Sequence, residues 1–314
     1  MGRYILHRLI IAVPILIGIS ILTFFLIRLV PGDTVTAMLG TNYNPEQAAR
    51  LRAQMGLDKP VIIQYFIWIG HVLCGNLGYS SFTDQPVLTA LLQRLPVTLE
   101  LALLSVLAAL LISIPLGICA ASKRGTAADY GSGILGMFGI SVPNFWLGTL
   151  LILIFSLHLH LLPSSGFQSL SKSVPGNLLS MIMPVIALGT AVGAVTMRST
   201  RSAMLDVLEE DYIKMAKAKG AGNLRIIWKH ALRNAMVPVA TIVGIQIGYL
   251  LGGSVIIEQI FGLPGIGQLA LQAISNRDYS LLQGTILFVA LTFIVINLAI
   301  DVIYGLINPR IRYK

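Results

Sequence analysis

The sequence predicts an all-α integral membrane protein, a single transmembrane domain of six membrane-spanning helices. Three observations carry this expectation. Only 11% of the residues are charged, against roughly 25% in an average soluble domain. The mean hydropathy is +0.81. Marking every Asp, Glu, Lys and Arg leaves six long apolar runs without charge: Leu9–Ile27, Leu101–Ser122, Tyr130–Ser171, Ser173–Met197, Asn234–Ile257 and Tyr279–Ile300. So few charges cannot coat a soluble globule of 314 residues, and 55% hydrophobic content excludes a disordered chain. Each run holds the ~20 apolar residues a span requires. Backbone groups in lipid must be paired internally, so these spans are helices. The short alternating segments of a β-barrel are missing.

The first span is placed at 9–29. Arg3 and Arg8 precede it, as in a signal peptide, but no small-x-small cleavage site follows Ile27, and a retained helix is expected. Residues 31–98 are then an extracytoplasmic region too long for a simple turn. Within it Glu46–Met55 reads as a short helix with Ala48, Ala49, Leu51 and Met55 as apolar contacts, either a small cap or a loosely packed loop. Val61–Leu73 is apolar but too short to cross, which suits an interfacial or packed segment.

The second span is 100–122 and the third 132–157, with Pro143 positioned to break the latter. His158, His160 and Pro163–Gly166 read as loop. The fourth span is 177–197, followed by a long inner loop at 198–236 and the fifth span at 237–257. Gln259–Asn276, within an outer loop at 258–280, is broken by Pro264 and several glycines and reads as a loop with room to dip inward. The sixth span is 281–303.

With the N-terminus inside, fifteen of the 22 Lys and Arg residues fall on the inner side and seven on the outer. The positive-inside rule then puts both termini in the cytoplasm. This accounts for the +9 net charge through topology and lipid head groups rather than nucleic acid. Cys74 and Cys119 fall near opposite faces, so neither a disulfide nor a metal pair is expected. His158 and His160 lack a neighbouring carboxylate or thiol and read as interfacial, and no metal site is expected.

The inner loop is patterned. Glu209, Glu210 and Asp211 precede a segment that carries Lys217 and Lys219 and ends at Gly220, which suits a short helix and its dipole. Asn223 is positioned as the next N-cap. Leu224, Ile227, Trp228, Ala231, Leu232 and Ala235 then recur at 3/4 spacing, with Arg225, Lys229 and Arg233 on another side. Periodicity alone leaves two readings open: a helix floating on anionic lipid, or a short helix gripped by a cytoplasmic partner.

Polar and aromatic groups in the spans are candidates for lining a pathway. They are Asn144, Phe145 and Trp146 after Pro143, and Gln246 with Tyr249 in the fifth span. Helix–helix packing is the equal alternative for each. Glu258 lines an outer gate or sits at the interface, and Asp301 is placed to pair with an arginine. Gly248, Gly252 and Gly253 suit close helix contact.

Nearly end to end, the chain resembles the permease subunits of ABC importers, and in detail the first permease of the dipeptide, oligopeptide, glutathione and nickel group. The resemblance runs through Arg28-Leu-Val-Pro-Gly-Asp33, Gly56-Leu-Asp-Lys-Pro60, Leu95-Pro-Val-Thr-Leu-Glu100 and Ser141-Val-Pro-Asn-Phe-Trp146. It continues with Glu210-Asp-Tyr212, Ala216-Lys-Ala-Lys-Gly220, His230-Ala-Leu-Arg-Asn-Ala235, Gly252-Gly-Ser254, Glu258, Pro264-Gly265, Arg277-Asp-Tyr279 and Asn308-Pro-Arg-Ile-Arg312. Lys214-Met-Ala216 stands where the general permease signature has Glu-Ala-Ala, as in the peptide and nickel subgroup.

The resemblance implies a type I importer permease fold and half of a translocation pathway. Small peptides are the implied cargo, with a nickel chelate or glutathione as the alternative. It implies a homologous second permease, two cytoplasmic ABC ATPases and an extracytoplasmic binding protein, in a bacterial or archaeal cytoplasmic membrane. Glu210, Asp211, Tyr212, Ala216, Lys217, Ala218, Lys219 and Gly220 would couple to an ATPase. The chain would be no enzyme and would bind no cofactor, with ATP and Mg on the partners. In keeping with this, no Gly-x4-Gly-Lys-Ser/Thr phosphate loop occurs. A stand-alone secondary transporter or channel is the rival class, and it would call for charges inside the spans. A membrane enzyme would call for a nucleophile or carboxylate constellation, and none is evident.

Overall fold

The structure, a computed structural model, describes residues 2–29, 35, 39, 44–54 and 56–307. Pro31–Asp33, Met55 and Asn308–Lys314 lie outside the described residues, as do the side chains of Leu51, Gly252, Gly253 and Asp301. Every element of three residues or more among the described residues is helical. Five helices are long and apolar enough to cross a membrane, and two bent pairs raise the count to as many as seven. The predicted six falls in that range. Large apolar side chains such as Leu111, at 75% exposure, face outward, as lipid or a partner chain requires.

The described residues divide into two compact units: those up to Val97 with Pro264–Ala299, and Thr98–Leu263 with those from Ile300. In the first unit, α1 (Gly2–Leu29) packs on α3 (Val61–Leu73). Phe24 is buried and meets Tyr65 edge-on at 5.3 Å and Trp68 at 5.4 Å. The Arg28 guanidinium lies 3.6 Å from the Phe24 ring centroid and donates to Gln64 Oε1, a cation held by an aromatic face and an amide rather than by an acid. The apolar segment Val61–Leu73 is therefore a helix that touches α1 through Tyr65 and Trp68 and buries none of its own residues.

Between them, α2 (Pro45–Gln54) starts at Asn44, whose Oδ1 accepts from Glu46 N at 2.9 Å, and buries Ala48. The start of α4 (Val87–Ser122) buries Val87 and Leu91 against Ile266, Leu269 and Ala273 of α10 (Ile266–Ser275) and Leu281 of α11 (Tyr279–Ile307). The region predicted as a loop, Gln259–Asn276, is thus largely helical. Gly262, in the left-handed region at φ 61°, ends one helix, and the next begins after Gly265. The glycines and Pro264 bound the helices instead of excluding them.

In the second unit the predicted third span is two helices. They are α5 (Ala127–Ser141) and α6 (Asn144–Leu151), the latter continued by a π-helical stretch at Ile152–His158. The two are bent by 98° at Val142–Pro143, where proline lacks the N–H donor and restricts the preceding residue. The fourth span is the long α7 (Val174–Leu208), started by Ser173 Oγ accepting from Gly176 N at 3.1 Å. Buried hydroxyls inside it return to the backbone: Thr196 donates to Val192 O and Thr200 to Thr196 O, each at 2.8 Å, so these two groups are paired within their own helix.

Helix α7 packs on α5, α6 and α9 (Leu232–Phe261). Glycine permits close approaches to α7 from α4 and from α5. A Cβ at Gly117 would lie 2.7 Å from Met197 O, and one at Gly139 2.8 Å from Ala194 Cβ.

Candidate functional site

The predicted short inner helix is α8 (Asp211–Ala218). Asp211 lies in its first turn and Lys217 in its last, each opposing the nearer end of the helix dipole. Gly220 N donates to Lys217 O at 2.9 Å and Ala221 N to Ala216 O at 3.1 Å, the paired bonds of a Schellman ending. That ending needs a left-handed residue, and Gly220 has φ 80°. Lys214 Nζ reaches Asp211 Oδ1 at 2.8 Å. The Lys214 hydrogen bond and charge hold the Asp211 carboxyl below its ordinary range, and the same contact raises Lys214.

The helix is fastened on one face. Ile213 is fully buried among Ile118, Met204, Ile226, Ala231 and Ala235. Tyr212 Oη accepts from Asn234 Nδ2 at 2.7 Å and donates to His230 O at 3.4 Å. Tyr212, Met215, Lys217, Ala218 and Lys219 remain exposed, Ala216 is half-buried, and Glu210 is exposed at the N-cap. Glu209 pairs with Arg124 at 2.9 Å.

Asn223 is not the cap expected of it. Gly222 takes that position, and Asn223 is the first helical residue. The surface helix and the fifth span are one run, joined through a π-helical stretch at Ile226–Ala231. The apolar face at 3/4 spacing continues directly into the span, so no cap or break is needed.

A second anchor lies at the start of α5. Arg201 Nη2 donates to Asp129 Oδ2 at 2.9 Å and its Nε to Oδ1, a two-pronged ion pair with Asp129 buried. Its partners are 72 residues apart, and nothing local in the sequence signals it. Asn234 was within reach of sequence reading, since it lies four residues after His230 and so on the same helical face.

The pathway candidates separate. Phe145, Trp146 and Tyr249 are exposed on the surface of this chain, while Asn144 and Gln246 are half-buried. Glu258 is fully buried; its Oε1 accepts from Thr98 Oγ1 at 2.8 Å and Ser254 Oγ at 3.2 Å. It cross-links α4 and α9 instead of presenting a charge to a surface. Helix α6 meets α9 where Gly148 faces Phe261 and Ile257. Cys74 and Cys119 are unbridged, and no group of three His, Cys, Asp or Glu side chains gathers among the described residues.

Long apolar helices, a sharply broken span and a short polar helix fastened beneath the bundle define a multi-pass membrane protein of the transport-permease class. Residues 113–313 match the family described as "Binding-protein-dependent transport system inner membrane component", and residues 1–102 match its N-terminal component. The chain belongs to this family, and it is an ABC importer permease subunit.

It is 43% identical over 338 aligned positions to the dipeptide transport system permease protein DppB of Escherichia coli K12, with the whole of both chains covered. It is 42% identical to the di/tripeptide transport system permease protein DppB of Pseudomonas aeruginosa UCBPP-PA14, again over both full lengths. A putative peptide transport system permease protein of Brucella abortus 2308 is 41% identical over both full lengths. In fold the chain is similar to the MetNI methionine ABC transporter in its inward-facing conformations. That match has a TM-score of 0.56 at 18% identity and covers 70% of this chain and 96% of the other.

Proposed function

We propose that this chain forms half of the translocation pathway of an ATP-driven importer of small peptides in a bacterial inner membrane. Its partners are a homologous second permease, two cytoplasmic ABC ATPases that bind ATP and Mg, and an extracytoplasmic binding protein that delivers the cargo. Both termini and the 198–236 loop lie in the cytoplasm.

The observation that carries this reading is the fastened lever. Helix α8 buries Ile213 and bonds Tyr212 to Asn234, while Met215, Lys217 and Lys219 stay exposed for a partner. ATP-driven closure of the ATPase pair would push the exposed face. The buried face would transmit the displacement to α9 through the Tyr212–Asn234 bond and the apolar core. A lever of this kind switches the bundle only if its contacts differ between the inward- and outward-open states. Small peptides are the cargo because the full-length relatives carry dipeptide and di/tripeptide transport in their names.

Reconstitution in liposomes tests the whole reading. The five-part assembly should accumulate a labelled dipeptide in an ATP-dependent way, and a Met215→Cys variant should cross-link to an ATPase. Uptake by this chain alone, or a Met215→Cys variant that never cross-links in an active assembly, would overturn it.

A further inference from the structure

We infer that the first unit contains a binding pocket for a carboxylate, with Arg94 as its cation. The inference rests on the reading above, since every residue lining the pocket comes from 80–94 or 269–281, segments assigned to the extracytoplasmic side or its edge.

The cavity is about 340 Å³, at the lower end of the roughly 300–1,000 Å³ typical of ligand sites. That is room for a dipeptide or for an acidic side chain on a protein loop. Arg94 is half-buried, yet it makes no hydrogen bond or ion pair among the described residues. A guanidinium offers five donors in a planar fork that fits a carboxylate.

The one carboxylate lining the same cavity is already committed. Asp278 is buried, its Oδ2 accepts from Ser80 Oγ at 2.5 Å, and its Oδ1 accepts from Leu281 N at 3.1 Å. That knot braces the cavity without neutralising Arg94. The amides of Gln93, Gln272 and Asn276 line the opening, are exposed, and make no side-chain hydrogen bond among the described residues. They can donate to and accept from a peptide unit, while Phe82 and Leu269 supply an apolar wall. With Asp278 held by its own donors, the Arg94 guanidinium is the group in this lining left to receive a further carboxylate.

The carboxylate has two possible sources: the C-terminus of a peptide, or an acidic side chain of the binding protein. The assembled importer, purified in nanodiscs, distinguishes them. One arm measures calorimetric binding of dialanine and of dialanine amide without the binding protein. The other measures the affinity of the binding protein for the assembly.

Arg94→Gln should weaken one arm by roughly tenfold or more, the scale of a lost charge-assisted hydrogen bond, and Arg94→Lys should keep part of it. A loss for dialanine, with dialanine amide already weak, assigns the peptide carboxylate. A loss in docking assigns the binding protein. Asn276→Asp, which changes an exposed residue by one charge, should weaken the same arm by repulsion and does so even if Arg94→Gln fails to assemble. Both arms unchanged in intact Arg94→Gln and Asn276→Asp assemblies overturn the site. That outcome leaves ATP-dependent uptake, and so the function proposed above, untouched.

Discussion

Tyr212 and Asn234 meet at 2.7 Å, phenol oxygen to amide nitrogen, across 22 residues of chain. The bond joins the first turn of the short helix α8 to the first turn of the long helix α9. Tyr212→Phe removes the hydroxyl and keeps the ring. The bond is exposed, so its loss should cost about 1 kcal/mol or less of stability. Transmission is where the effect should appear: ATP hydrolysis by the assembly persists while peptide uptake per ATP falls. Unchanged uptake per ATP in Tyr212→Phe would show that Ile213 alone carries the connection.

Gly220 isolates a backbone effect. A Cβ there would meet nothing within 4 Å, but φ is 80°. Gly220→Ala should therefore lower stability by about 1 kcal/mol through the left-handed conformation alone and fray the end of the lever. Gly133→Ala is the control, with equal space inside helix α5 and no left-handed φ. Thermal unfolding of the two purified variants should differ, and equal melting temperatures would remove Gly220 from the helix ending.

Gly117 tests the packing of α4 on α7. Its Cβ would sit 2.7 Å from both Met197 O and Thr200 Cβ, and a carbonyl on a packed helix cannot step aside cheaply. Gly117→Ala should destabilise by about 1–3 kcal/mol. Gly18→Ala, with open space around it, should be neutral or slightly stabilising because alanine is the better helix former. Melting temperatures in a fixed detergent measure both.

Asp129 and Arg201 should behave as a unit. Asp129→Ala leaves a guanidinium without its partner, whereas the double replacement by alanine leaves no lone charge. The single variants should each cost on the order of 2 kcal/mol, and the double variant clearly less than their sum. A double-mutant cycle on unfolding measures the coupling, and strict additivity would show that the pair contributes nothing.

Much of the fold is legible from charge placement, because a membrane span is a local property. An uncharged apolar run of sufficient length has no other stable disposition in lipid. The lever is legible for a similar reason. Its acids, lysines and terminal glycine act within one or two helical turns, and Gly220 takes the left-handed conformation its position calls for. Asn223 was misread because a cap depends on where the preceding chain turns, and Gly222 holds that place. The segment Gln259–Asn276 was misread because glycine and proline mark helix ends as readily as loops, and a ten-residue helix fits between them.

The sequence by itself marked this chain as built for a membrane, picked out the charge-free runs that become its long apolar helices, and placed a short polar helix between two of them, because each of these depends on residues close together in the chain. Tertiary structure decided the pairings. It set Glu258 against Thr98, Asp129 against Arg201, Asp278 against Ser80 and Tyr212 against Asn234. It also left Arg94 without a partner among the described residues. A buried or half-buried polar group must find its complement in space, and for most of these residues the complement lies tens to hundreds of positions away, where no periodicity reaches.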